Sequence, residues 1–567
     1  LVAELYERIE ATSKRLEMTD YLVELLRQTP RELVGRVVYL TQGKLYPDFM
    51  GVEMGMAEKT AIDSVAEAAG AEKESVTRQW KRLGDLGTTA EELLRGKPAP
   101  GEPLTVEEVY GTFDRIAHTT GKGSVEAKVN LLSSLLKKAS PKEARYLVRV
   151  VTGRLRLGIG DMTLLDALAV AYAGGKKNRA RLEEAYNLSS DLGLVAETLM
   201  ERGMEGIEQF KVTISRPIRP MLAERMPSAE EILERLGGEG AAEYKYDGLR
   251  IQAQLSPEEV FLFSRRLENI TGQFPDVVRA LRRSIKAKEA IVEAECVAVD
   301  PNTGEMYPFQ MVSRRRGRKY EIQRMMAEIP VHLYLFDLLY LDGRDLTKTP
   351  YPERRRQLEA IVEEAEGVAL AEKLIAHTPR ELDEYMNVAI ERGCEGILVK
   401  STGPDSVYAA GKRGFKWLKY KREYRSEMAD TVDLVAVGGL AGRGRRAGTY
   451  GALLMAAYNP ERDAFESVCK LGTGFTDEDL ARLPKLFEPY RLGHRHPRVD
   501  STMEPDQWLT PARVLEVRGA ELTLSPSHRC AWNQIREGAG LAIRFPRLEK
   551  WREDKAPEDA TTVQELV

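Results

Sequence analysis

The 567-residue chain reads as a multidomain protein: an all-α region (residues 1–216), an α+β region (217–424) and a small β-barrel (425–567). Three observations predict that order. Apolar residues recur at helical spacing through the first region. Short apolar strands then mix with helical stretches. Glycine-punctuated strands dominate the last. A chain of this length also exceeds what one hydrophobic core can organise.

The elements follow in chain order. "TDYLVELLRQ" (19–28), "EAKVNLLSSLLKKA" (126–139) and "TLLDALAVAYAG" (163–174) carry apolar residues three and four apart, as amphipathic helices do. Glycine turns separate them, in "TTGKGS" (119–124) and "RLRLGIGDMT" (154–163). The two close prolines of "SRPIRPMLA" (215–223) mark a boundary. "AIVEAECVAV" (290–299), "VHLYLFDLLYL" (331–341) and "EGILVK" (395–400) read as strands, and "ERRRQLEAIVEEAEG" (353–367) as a helix. "DTVDLVAVGGLAGRGRRAGTYGALLMAAYN" (430–459) and "ARVLEVRGAELTLSPS" (512–527) read as barrel strands.

Composition narrows the function classes. The chain is 43% hydrophobic and 30% charged, with no apolar run long enough to span a bilayer and no signal-peptide pattern at its start. It opens on Leu1 rather than Met, so a few residues are expected ahead of it. The formal net charge of −4 does not by itself point to nucleic acid, which would have to bind local basic patches. Cys296, Cys394, Cys469 and Cys530 are far apart with no C-x-x-C pair, against a structural zinc site or a disulfide framework. A reducing, cytoplasmic compartment is expected.

The candidate chemistry lies in the middle region. "AAEYKYDGLR" (241–250) reads as a β-hairpin turning at Asp247-Gly248, with Leu249, Ile251, Ala253 and Leu255 on the buried face of its second strand. Lys245 is then either a solvated strand residue or a nucleophile. A nucleophilic lysine must lose a proton, against an ordinary pKa of about 10.4. Phosphate chemistry on it would need cations for the leaving group, an aromatic face for a base and carboxylates for a metal. Separate islands supply each part. "FSRRLENIT" (263–271) carries Arg265, and "VEAECV" (292–297) sets Glu295 in an apolar strand. "LYLFDLLYLDG" (333–343) holds Phe336 beside Asp337. "CEGILVK" (394–400) brackets its strand with Glu395 and Lys400, and "GKRGFKWLKYKREY" (411–424) puts Lys419 and Lys421 on one strand face. Taken singly, Phe336 also suits a core, Glu395 a surface cap and 411–424 a solvated edge strand.

Taken together, K-x-D-G, S-R, a strand Glu, F-D-x-L-Y-x-D-G, E-G-x-x-x-K and W-L-K-x-K occur in one order. That series resembles the covalent nucleotidyltransferases, and specifically the ATP-dependent DNA ligases of the archaeal and eukaryotic replicative type. The likeness covers nearly the whole chain. "GDLGTTAEELL" (84–94), "TTGKGSVEAKVNLLSSLL" (119–136) and "RLRLGIGDMTLLDALA" (154–169) look like that family's DNA-binding domain. "GRGRRAGTYGALLMAAYN" (442–459), "KLGTGFTDEDL" (470–480) and "RFPRLEKWREDKAPEDATT" (544–562) look like its OB-fold domain with the last nucleotidyltransferase motif.

The resemblance implies an all-α DNA-binding domain at 1–216, an α+β nucleotidyltransferase (adenylation) domain at 217–424 and an OB-fold domain at 425–567. It implies a ligase that seals nicks in duplex DNA through a lysyl-AMP and a DNA-adenylate, in replication, repair and recombination. Lys245 matches the adenylylated lysine, Glu243 the residue that reads the adenine edge, and Phe336 the ring stacked on the base. Arg250, Arg265 and Glu295 match residues around the ribose and phosphate. Glu295 and Glu395 match metal carboxylates. Lys419 and Lys421 match the lysines at the α-phosphate, and Arg413 a neighbouring nucleotide contact. Arg544, Arg547, Lys550, Arg552 and Lys555 fall in the last motif, which orients pyrophosphate.

The implied cofactors are ATP and Mg²⁺, with Mn²⁺ as an alternative, and the implied partner is nicked double-stranded DNA bound by a monomer. A sliding clamp follows from the family, although no Q-x-x-x-F-F motif is found, and such ligases often continue a few residues beyond "VQELV". A nucleoid-associated protein of an archaeal cell is expected. "RRRGRK" (314–319) is either a DNA contact or a solvated loop. An RNA ligase or capping guanylyltransferase would share the lysine motif but not the helical amino-terminal region. An NAD-dependent ligase would add a cysteine cluster and an NMN-binding domain. A scaffold that has lost activity would not need every motif residue.

Overall fold

A computed structural model describes the chain except residues 99–100, 156, 319, 422–425 and 443–445. The expected boundary at 424/425 and parts of the motif stretches 154–163, 314–319, 411–424 and 442–459 therefore lie outside the described residues. The chain forms two compact units, Leu1–Pro220 with Arg266–Asn269, and Met221–Arg265 with Ile270–Val567. None of the described helices is long and apolar enough to cross a membrane.

The first unit is helical. The three periodic stretches lie in helices Arg15–Gln28, Ser124–Lys138 and Asp161–Tyr172. Their apolar faces enter two cores, one around Leu22, Val38, Leu165 and Val195 and one around Val65, Ala90, Phe113 and Leu132. Local chemistry sets the helix ends. Ser140 and Glu143 form a reciprocal capping box ahead of Pro141–Val151, satisfying two otherwise unpaired N–H groups. Gly121 and Gly123 of "GKGS" both hold positive φ, and Gly123 leads directly into Ser124–Lys138.

In the second unit we number the strands β1 (Leu222–Arg225), β2 (Gly240–Lys245), β3 (Leu249–Leu255), β4 (Val260–Ser264), β5 (Ala290–Ala298), β6 (Val331–Leu341), β7 (Arg344–Asp345), β8 (Val368–Leu370), β9 (Lys373–Ala376), β10 (Gly396–Lys400) and β11 (Arg413–Lys421). They build two sheets. One has the order β1-β11-β10-β2-β9. The other runs β4-β3-β5-β6-β7, with β8 also paired to β6.

That topology overturns the hairpin expected at 241–250. β2 pairs with β9 and β10, whereas β3 pairs with β4 and β5, so Asp247-Gly248 carries the chain from one sheet to the other. Gly248 is needed for closeness rather than for positive φ: a Cβ there would lie 2.4 Å from the Cys296 carbonyl oxygen. Nor is β3 half-buried, because Gln252 and Gln254 on its other face are buried as well. A second sheet covers what a lone hairpin would leave to water.

Among the described residues, the β-rich carboxyl-terminal part holds eleven further strands, helix Asp477–Phe487 and the short helix Val563–Leu566. A long strand, Thr431–Ala441, pairs along one edge with Tyr450–Asn459. Its other edge takes Val514–Arg518 and then Gln507–Leu509. The register shifts at Ala436/Gly438, and Gly438 and Gly439 sit against Pro505 and Tyr450, with no room for a side chain. This bend lets two strands share one edge and curls the sheet around Leu453, Leu471, Leu515 and Leu541. Strands Val514–Arg518 and Glu521–Ser525, both within the stretch read as barrel strands, pair in different sheets.

Replacing Gly248 with alanine should cost about 1–3 kcal/mol, because the clash is with backbone. Urea unfolding of the second unit, followed by tryptophan fluorescence, checks this.

Candidate active site

Strand register alone gathers one wall of the site. Lys245 lies opposite Gly396, Glu243 opposite Leu398 and Ala241 opposite Lys400. On the other side of β10, Gly396, Leu398 and Lys400 lie opposite Lys421, Lys419 and Trp417. Side chains at paired and alternate positions share a sheet face. Glu243, Lys245, Lys400, Trp417, Lys419 and Lys421 therefore project from the same face.

Lys245 ends β2 and is half-buried. Its ammonium donates to the Glu395 carboxylate, while its backbone carbonyl accepts from the Glu395 N–H at 2.9 Å. Lys421 Nζ is 3.7 Å from the same carboxylate. Burial alone would raise the Glu395 carboxyl, but Lys245 and Lys421 outweigh it and hold it below its ordinary value. Burial and the charge of Glu395 raise Asp247. Burial, helped by Glu395 and Asp247, pushes Glu295 up to about 7 against the pull of Lys245 and Arg250. Burial together with Arg413, Lys421, Lys245 and Arg265 lowers the Lys419 ammonium. The structure thus collects Lys245, Arg265, Arg413, Lys419 and Lys421 with Glu295 and Glu395 into one electrostatic cluster. Within it Arg413 Nη1 also donates to the Ala223 carbonyl at 2.7 Å.

The facing wall comes from the second sheet. Arg250 on β3 binds Glu293 on β5 through two hydrogen bonds of 2.8 and 2.9 Å, and donates to the Met221 carbonyl at 2.7 Å. Tyr408 donates to Glu293 and accepts from Arg250 at 3.2 Å. Phe336 lies at a β-bulge: Glu293 pairs with Asp337 and Ala294 with Leu335, leaving Phe336 without a partner across the ladder. A bulge re-aims the side chain it displaces. The Phe336 ring meets Trp417 edge-on at 6.2 Å, with Arg250 and Lys400 5.6 and 4.7 Å from its centre. Behind the bulge Asp337 and Arg354, both wholly buried, pair at 2.8 and 3.1 Å.

Other expected residues lie differently. Glu243 is 1% exposed, between Arg355 Nη1 at 2.9 Å and Lys400 Nζ at 2.5 Å. The last-motif residues are not joined to Lys245 in this arrangement. Arg544 Nη1 donates to the Glu391 carbonyl at 2.8 Å, Lys555 and Arg552 pair with Asp433, and Lys550 pairs with Glu516. Of the "RRRGRK" cluster, Arg315 is buried on Asp276 and is structural, and Lys319 is outside the described residues. Glu293, Tyr408, Arg354 and Arg355 carried no sequence expectation. Only Glu293 left a signal, as a second acid two residues from Glu295 in an apolar strand.

Three family models match the chain: "DNA ligase N terminus" over residues 1–169, "ATP dependent DNA ligase domain" over 220–421 and "ATP dependent DNA ligase C terminal region" over 446–555. Among curated proteins, the chain is 54% identical to DNA ligase 2 of Thermofilum pendens, across all of this chain and 96% of that one. It is 50% identical to the DNA ligase of Staphylothermus marinus and 50% to a probable DNA ligase of Aquifex aeolicus, in each case across all of this chain and 97% of the relative.

Substituting Arg354 with leucine would strand the buried Asp337 carboxylate behind the Phe336 bulge. A loss of about 3–5 kcal/mol is expected, read as a lower urea midpoint.

Proposed function

The chain belongs to the ATP-dependent DNA ligase family, and from that premise we propose that it seals nicks in duplex DNA with Lys245 as the nucleophile. The placement of Lys245 carries this reading. It ends a rigid strand, pairs with Glu395, and shares a sheet face with Lys419 and Lys421.

In the first step the Lys245 amine attacks the α-phosphorus of ATP in line. A P–N bond forms, the bond to the bridging oxygen breaks and pyrophosphate leaves. Glu395 accepts the hydrogen bond of Lys245 and is the first acceptor for its proton. Lys419, Lys421, Arg265 and Arg413 surround the α-phosphate with positive charge. Phe336 offers a ring face to the adenine, and Arg250, held by Glu293, faces the sugar. AMP then passes to the 5′-phosphate of the nick. The 3′-hydroxyl attacks that phosphate and AMP leaves, so each step exchanges one phosphate linkage for another.

Among the described residues, no three or more His, Cys, Asp or Glu side chains form a ready metal centre. Two neighbouring carboxylates nonetheless suit Mg²⁺, which takes hard oxygens and completes its shell with substrate phosphates and water. Glu295 and Glu395 would hold it, and it would neutralise phosphate charge. Because Arg544 and Lys555 are occupied elsewhere in the second unit, the barrel reorients to bring the last motif to pyrophosphate and then clears the site for DNA. The enzyme acts as a monomer on nicked DNA in replication, repair and recombination.

Incubation with α-labelled ATP and Mg²⁺ should label the protein, and Lys245→Ala should abolish the label; undiminished labelling would refute the assignment. Glu295 loses its charge as pH falls through about 7. The single-turnover rate of self-adenylylation should therefore fall on the acid side, and Glu295→Gln should flatten that limb.

A further inference from the structure

The reaction described above leaves Arg355 and Lys400 without a part. Yet both are buried, and both end on Glu243. We propose that Arg355 and Lys400 are positioning residues that set purine specificity, by holding the Glu243 carboxylate oxygens in one fixed orientation on the base-binding wall. This rests on the proposed reading, in which Glu243 meets the edge of the adenine.

The geometry is over-determined. Arg355 donates to Glu243 at 2.9 Å, to the Ala371 carbonyl at 2.6 Å and to Glu359 at 3.0 Å, so its guanidinium has one orientation. Lys400 Nζ lies 2.5 Å from the other Glu243 oxygen. The same ammonium sits 4.3 Å from the Trp417 ring centre, 4.7 Å from that of Phe336 and 5.2 Å from that of Tyr351. Lys400 thus ties the carboxylate to the stacking ring through an ion pair on one side and aromatic faces on the other.

A carboxylate has about four lone-pair positions, so two cations leave acceptor capacity for a ligand. It can take a hydrogen bond from the 6-amino group of adenine. It offers nothing to the 6-oxo group of guanine, which is itself an acceptor, and such a mismatch is how a polar site rejects the wrong substrate. Removing either cation frees one Glu243 oxygen from the contact that orients it, and the fixed acceptor for the 6-amino group is lost.

The test measures lysine labelling by α-labelled ATP and by α-labelled GTP, each with Mg²⁺, on the full chain. In Lys400→Met, Arg355→Gln and Glu243→Gln the ATP-to-GTP ratio should fall by about tenfold or more. Lys400→Arg, which keeps the cation, should hold the wild-type ratio. Thermal unfolding reports which variants fold. A folded variant that labels with ATP but keeps the wild-type ratio would overturn the proposal. If both cation variants fail to fold, Glu243→Gln decides alone, since its amide is a donor without a charge; an unchanged ratio there also overturns it. Wild-type protein that takes no label from ATP would instead refute the ligase reading.

Discussion

Charge buried between two sheets is the constraint on which the rest of this molecule depends. A phosphate-handling site needs cations and carboxylates held away from bulk water, and each such group is costly to bury unless another compensates it. The chain meets much of that demand by pairing wall residues with opposite charges. Glu395 answers Lys245, Glu293 answers Arg250, Asp337 answers Arg354, and Arg355 with Lys400 answers Glu243. Two of these pairs start from one helix, Tyr351–Ile361, where Arg354 reaches Asp337 on β6 and Arg355 reaches Glu243 on β2, so that helix is tied to both walls.

The same pairing explains a division of labour among the acids. Glu395, against two lysines, stays charged below its ordinary range, whereas Glu295, deeper and beside other acids, is raised to about 7. Two carboxylates in one site thus differ by environment alone. Among the described residues, the carboxyl-terminal part is not seen to add a side chain to this cluster. Among its last-motif cations, Lys555 pairs with Asp433, Lys550 with Glu516 and Arg544 with the Glu391 carbonyl.

Much of the fold was legible in order and texture. The helical stretches and the strands at 290–299, 331–341 and 395–400 stand close to where their periodicity puts them. Periodicity reports local conformation, so it failed where pairing is non-local. Asp247-Gly248 has the composition of a hairpin turn, yet β2 finds β9 and β10 instead of β3, because only a second sheet can cover both faces of β3. Strands Val514–Arg518 and Glu521–Ser525 part in the same way.

By itself the sequence determined the family, since Lys245, Glu295, Phe336, Glu395, Lys419 and Lys421 stand in short motifs whose spacing is local. Tertiary structure alone decided which charges answer them. Arg355 meets Glu243, and Tyr408 meets Glu293, across more than a hundred residues of chain. The bulge that turns Phe336 to the wall exists only in the pairing of β5 with β6. A residue's type and neighbours in sequence state what it can do. Which buried partner balances its charge depends on contacts that form only when distant strands come into register.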